Sequence, residues 1–276
     1  MEALVFGASG MVGELILEHL AAGRNKAIGI SRRMERQEDW LVADLAQPDT
    51  LQLPKVDVVF SAAPTWLFAK SAHKILRSEP KRIVVISSTN VFTKIDSRDE
   101  AERTSILELI DAEKRIIDQA KAQGVEWTIL RPTLLYREGR DHNITQIARI
   151  IRRLGFAPLY GAAAGLRQPV HAEDYAIGAI AAAESSKAAN RSYCTTGAET
   201  IPYYEMVGRI FDGLSRRRRL LHLPPSIWKS AFAVAKPLFP DVTPVMGERM
   251  LKDMAFDSSA AISDFGWSAR KFAPSF

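Results

Sequence analysis

Three glycines within seven residues, in Gly7-Ala8-Ser9-Gly10-Met11-Val12-Gly13, follow directly on the apolar run Ala3-Leu4-Val5-Phe6. The chemistry they could do is anion binding. A buried strand that breaks at glycines and turns into a helix N-terminus aims backbone N–H groups and the positive end of the helix dipole at one point. Missing side chains then let a pyrophosphate approach. A second cationic place is Ser31-Arg32-Arg33, where a strand should end on two guanidinium groups with no carboxylate beside them. Guanidinium pairs bidentately with phosphate, which a carboxylate would repel. Other reactive types point less clearly to chemistry. His171 and Asp174 invite an acid/base reading, but a hydrogen-bonded structural histidine is the better one, and Cys194 in Tyr193-Cys194-Thr195 reads as a buried strand residue. A single cysteine allows no internal disulfide, and no two-histidine spacing suggests a metal, so none is expected.

These groups need elements to position them. After the glycine turn, Met11, Val12, Leu15, Ile16 and Leu20 recur at helical spacing until Gly23. Strands are expected at Lys26–Ile30, Val56–Ser61, Arg82–Ser87 and Trp127–Leu130, with a helix between Ala69 and Arg77. Ser105 with Glu108 reads as a capping box opening a helix whose apolar stripe is Ile106, Leu109, Ile110, Ile116, Ile117 and Ala120, ended by Gly124. Glu108, Asp111 and Glu113 read as its wet face and cap. Such alternation implies a Rossmann-like doubly wound parallel sheet, with ligands at the carboxyl ends of the strands. The alternation loosens after Tyr136. Residues 1–135 are therefore expected to form the nucleotide domain. Residues 136–276 should form a smaller substrate lobe over the strand ends, partly interleaved with the first, with helices at Ile144–Leu154 and Glu173–Ala183 and strands near Ser192–Thr196 and Leu220–Leu223.

Several segments together resemble the extended and atypical short-chain dehydrogenase/reductase superfamily, in its epimerase/dehydratase-like branch. They are Gly7–Gly13, Ala43-Asp44-Leu45, Phe60-Ser61-Ala62-Ala63, Val85-Ile86-Ser87-Ser88, Leu130-Arg131-Pro132, Pro169-Val170-His171-Ala172-Glu173-Asp174 and Asp264-Phe265-Gly266-Trp267. The resemblance implies that Asp44 and Leu45 flank an adenine and that Ser61, Ala62 and Ala63 pass beneath the cofactor, with Arg131 and Pro132 at the next strand end. It turns Ser31, Arg32 and Arg33 into a 2′-phosphate site, and so implies NADP(H) in preference to NAD(H). It gives Ser88 the family's serine position and Lys114 the lysine that holds the nicotinamide ribose. The family's catalytic tyrosine falls on Ile110, which cannot transfer a proton. Tyr136 is the nearest substitute, although a packed tyrosine at the lobe boundary is the simpler reading.

Bulk properties bound the rest. The chain has 276 residues, 47% hydrophobic, and a net charge of +5 with a pI near 9.3. A phosphorylated small ligand accounts for that sign more simply than nucleic acid, since no aromatic-basic platform accompanies Arg216–Arg219. That run reads as a solvated face, or by resemblance as a contact for a nucleotide-sugar diphosphate. No apolar run is long enough to span a bilayer, and no signal peptide is evident, which suggests the cytoplasm. A peripheral membrane contact through Ile227, Trp228, Ala231, Phe232 and Ala235, beside Lys229 and Lys236, ranks below lobe packing. The expected protein is a monomer or homodimer acting as an oxidoreductase or epimerase-like enzyme on a small carbonyl or hydroxyl substrate. The alternative is a non-catalytic NADP(H)-binding sensor or assembly protein.

Overall fold

Continuous apolar runs make the strands of this protein, because a sheet covered by helices on both faces has no wet side. The computed structural model describes residues 1–32, 39–97, 99–228, 230 and 245–276. Seven parallel strands form the main sheet: β1 (Glu2–Phe6), β2 (Lys26–Ser31), β3 (Trp40–Val42), β4 (Val58–Ser61), β5 (Arg82–Ile86), β6 (Glu126–Pro132) and β11 (Arg191–Thr195). Their order is β11-β6-β5-β4-β1-β2-β3. The chain winds outward from β1 to β3, then returns to build the other half from β4. The switch of direction lies between β1 and β4, where doubly wound sheets place their ligands. Registers Phe6↔Ser61, Ser61↔Val85 and Ile86↔Leu130 bring these strand ends level.

Helices α1 (Met11–Ala22) and α6 (Ala172–Glu184) pack together, as do α2 (Thr65–Ile75) and α4 (Glu100–Ala122). Leu4, Phe6, Val59, Phe68, Ile83, Val85, Ala112, Ile116 and Ile129 share one buried cluster. At the amino end of the sheet, the buried Arg82 donates to the carbonyls of Ala182, Ala183 and Ser185 at the end of α6, and pairs with Glu126. The guanidinium thereby satisfies carbonyls that a helix end leaves open.

The chain divides into two units, each made of three separate stretches. The sheet unit is Met1–Pro132, Ala172–Thr195 and Asp257–Ser268, and the second unit is Thr133–His171, Thr196–Phe256 and Ala269–Phe276. Both α6 and β11 therefore return to the first unit, because the sheet's open edge at β6 and its uncovered face need them. The second unit builds on α5 (Ile144–Leu154), α7 (Tyr203–Gly213) and three two-stranded sheets. These pair β7 (Leu134–Tyr136) with β10 (Pro169–His171), β8 (Ala157–Tyr160) with β13 (Leu220–Leu223), and β9 (Leu166–Arg167) with β12 (Ile201–Pro202).

Two expectations need correction here. Helix α4 starts at Glu100, not at Ser105, because Asp99 accepts from the Glu102 N–H at 3.2 Å and caps it. Helix α2 starts at Thr65. Residues 229, 231, 232, 235 and 236, read as a lobe-packing helix with a membrane contact as the lesser alternative, lie outside the described residues.

Candidate functional site

Gly7 sits at the end of β1 with φ +73°, and a Cβ there would stand 2.6 Å from the Ala62 carbonyl carbon and 2.7 Å from the Ala63 nitrogen. A Cβ on Gly13 would run into the Gly7 carbonyl oxygen. The first glycine thus lets β1 turn against the end of β4, and the third lets α1 seat against that turn. The Gly10 N–H donates to Gly7 O at 2.9 Å, and Gly10 O accepts from Glu14 N–H at 3.1 Å. As N-cap, Gly10 brings no side-chain acceptor to α1. The positive end of the helix and the missing side chain at Gly10 together fit a pyrophosphate. Ser9, Met11 and Val12 complete the loop, with Val12 buried and Ser9 exposed.

The neighbouring strand ends carry the other expected residues. Ser31 is buried at the end of β2, and Arg32 beyond it is exposed; Arg33 lies outside the described residues. Asp44 accepts the Ala46 N–H at 2.9 Å, and Leu45 is buried in the core with its carbonyl bonded to Ser71. Ser61 is fully buried and its hydroxyl has no partner, while Ala62 and Ala63 are half-buried. After β5 the chain is pinned to β6: Ser87 N–H donates to Leu130 O at 2.8 Å, and Thr89 donates to Pro132 O through its N–H and its hydroxyl. Ser88 is half-buried, its hydroxyl accepting the Asn90 N–H at 3.1 Å.

Glu113 is the residue that sequence reasoning missed. Far from facing water, it is 5% exposed. It accepts from Ser87 Oγ, from Arg131 Nε at 3.0 Å and from Arg131 Nη2 at 2.5 Å. Arg131 also stacks on Phe92, 5.3 Å from the ring centroid. Its guanidinium is therefore engaged by the protein at the place where a cofactor contact was expected. A signal was present: Glu113 lies three residues from Ile110 and Ile116, on the apolar stripe of α4, where an unpaired carboxylate would not be tolerated.

Because Glu113 takes the inward position, Lys114 turns outward and is exposed. One turn before Glu113 on the same face stand Leu109 and Ile110, both half-buried. Tyr136 belongs to the second unit, 1% exposed, packed edge-on against His171 and Phe272 at 5.2 and 5.1 Å. It is among the largest fully buried side chains. His171 pairs with Glu138 at 3.4 Å, in keeping with a structural histidine. Half-buried Cys194 has its thiol pKa raised by burial. Among the described residues, no group of three or more His, Cys, Asp or Glu is arranged to hold a metal.

The family model for NAD(P)H-binding proteins matches residues 7–150, more than half of the chain, and its match begins at the glycine turn. The chain belongs to the NAD(P)H-binding family. Its fold is the one seen in solved nucleotide-sugar epimerases and dehydratases. UDP-glucose 4-epimerase from Thermotoga maritima, solved with UDP-glucose, superposes with a TM-score of 0.75 at 13% identity, over 98% of this chain and 94% of that one. The dTDP-glucose 4,6-dehydratase DesIV of Streptomyces venezuelae, solved as a double mutant with NAD bound, gives 0.74 at 17% over 99% and 94%. UDP-glucuronic acid 4-epimerase from Bacillus cereus, in complex with UDP-glucuronic acid and NAD, gives 0.72 at 15% over 99% and 95%. No curated protein matches the sequence. No described helix is long and apolar enough to cross a membrane.

Proposed function

We propose that this NAD(P)H-binding protein is an NADP(H)-preferring oxidoreductase or epimerase-like enzyme for a small carbonyl or hydroxyl substrate. The glycine turn carries the reading, because Gly7, Gly10 and Gly13 bring the α1 N-terminus against the end of β1 with no side chains of their own over its backbone donors. When bound, the cofactor supplies a hydride donor or acceptor at its nicotinamide. Arg32 and Arg33 supply charge for a 2′-phosphate, with no carboxylate between Ser31 and Arg33 to accept from a free ribose hydroxyl. Ser88 orients the substrate oxygen. Glu113 holds Ser87 and Arg131, and through them the β5–α3 turn that presents Ser88, where α3 is Asn90–Thr93.

Hydride delivered to a carbonyl carbon needs a proton at its oxygen; Leu109 and Ile110 on α4 cannot give it, so a water held at Ser88 supplies it. Lys114 and Tyr136 receive no part in it, the first for its exposure and the second for its burial. Small nucleotide-linked sugars are the first substrates to try, given the ligands of the solved relatives. The test is NADPH oxidation against a panel of keto-sugar nucleotides and simple carbonyls. Turnover with at least one, lowered about 100-fold or more in Ser88→Ala, is expected. Turnover unaffected by Ser88→Ala would overturn the assignment of the site.

A further inference from the structure

The arginine run Arg216–Arg219 has no place in the nucleotide site, and the second unit shows what surrounds it. Residues 144–160 and 214–223 contain Arg149, Arg152, Arg153 and Arg216–Arg219 without one carboxylate. The fold brings the two segments together. Arg216 Nη1 donates to the carbonyls of Ile151 and Arg152 at 3.2 and 3.3 Å, closing the C-terminus of α5. Arg219 O accepts the Ala157 N–H at 3.0 Å, which starts the parallel pairing of β13 with β8. Of the run, Arg218 is neutralised by Asp212 and Glu205 on α7, at 3.0 and 2.8 Å. Hydrogen bonds from Arg218 hold Asp212 below the usual carboxylate range, and Glu205 accepts from Arg209 Nε at 3.1 Å as well. Arg152, Arg153, Arg217 and Arg219 are exposed.

Beside this charge lies apolar surface. Leu221, two residues after Arg219 and therefore on the same side of an extended strand, is 46% exposed. Ile227, in the helical segment that follows Pro224, is 51% exposed. We propose that this end of the second unit is a peripheral docking surface for a bilayer bearing anionic headgroups, the arginines meeting the lipid phosphates and Leu221 and Ile227 entering the interface. Single-stranded nucleic acid fits less well, because the aromatic side chains here, Phe156, Tyr160 and Phe276, are half-buried, with Tyr160 packed on Trp228 at 5.4 Å and Phe276 under Arg152 at 5.5 Å. The proposal is independent of the cofactor reading, since every residue in it belongs to the second unit.

Co-sedimentation of the full chain with vesicles tests it, using phosphatidylcholine alone or mixed with phosphatidylglycerol. Binding to the mixed vesicles only, released by high salt, is expected. One arginine near an anionic surface contributes about fivefold in partitioning, so Arg217→Glu with Arg219→Glu should lower binding about 25-fold or more. Leu221→Ser should lower it severalfold with the charge intact, and NADPH binding by the same variants reports that they fold. Three outcomes would overturn the proposal: no sedimentation with mixed vesicles, undiminished binding by the double variant, or displacement from vesicles by a short oligonucleotide.

Discussion

At the scale of single residues, two kinds of constraint hold the site, and each can be broken separately. Gly7 must keep a left-handed backbone against Ala62, so Gly7→Ala carries about 1–2 kcal/mol of conformational cost plus the clash. The expected outcome is a lowered urea midpoint together with weakened NADPH binding. Unchanged binding by a folded variant would detach the turn from the cofactor. Glu113 acts differently, through charge. Its side chain is 7% exposed and that of Arg131 18%, so Glu113→Ala leaves a buried guanidinium without its carboxylate. A loss of about 3–5 kcal/mol in unfolding free energy is expected, with Glu113→Gln losing less. Lys114→Met and Tyr136→Phe should both bind NADPH as the parent protein does. A tenfold loss of affinity in Lys114→Met would restore the ribose role implied by family resemblance.

Elements explain which of these residues could be read in advance. The glycine turn, the parallel strands and α5 follow from local patterns, because apolar runs and helical spacing report burial directly. Helix α4 misled twice. A capping box at Ser105 was locally plausible, but Asp99 caps an earlier start, and a polar stretch of exposed helix leaves no apolar trace of where it begins. Glu113 looked like a wet-face acid because its partners, Ser87 and Arg131, are 26 and 18 residues away in sequence. Tertiary pairing of that kind has no local signature, apart from an acid standing on an apolar stripe. In the second unit, burial alone would raise the Glu138 carboxyl. Its hydrogen bonds to His171 and to the N–H groups of its own residue and Ser275 outweigh that, and hold it below the ordinary 4.5. A depressed carboxyl stabilises the fold above its unfolded value and loses that contribution as pH falls through the folded one. Urea midpoints from about pH 6 to about pH 3 should therefore fall less steeply in Glu138→Gln than in the parent. Parallel acid profiles would show that this carboxyl is not linked to folding.

For the whole molecule, the sheet order brings the level strand ends and the glycine turn to the β1/β4 switch, where the proposed dinucleotide site lies, while α4 contains no tyrosine. The family and the fold agree on the cofactor's class, and the residues after β2 bear on which member of it is preferred. A lost charge-assisted contact to a phosphate is worth about 1.5–3 kcal/mol, or about 10- to 100-fold in affinity. Calorimetric titration of the same preparation with NADPH and with NADH measures this directly. Tighter binding of NADPH by at least about tenfold is expected, and Arg32→Ala combined with Arg33→Ala should remove most of the difference. Equal affinities in the unmodified protein would contradict the preference, and binding of neither would contradict the site itself.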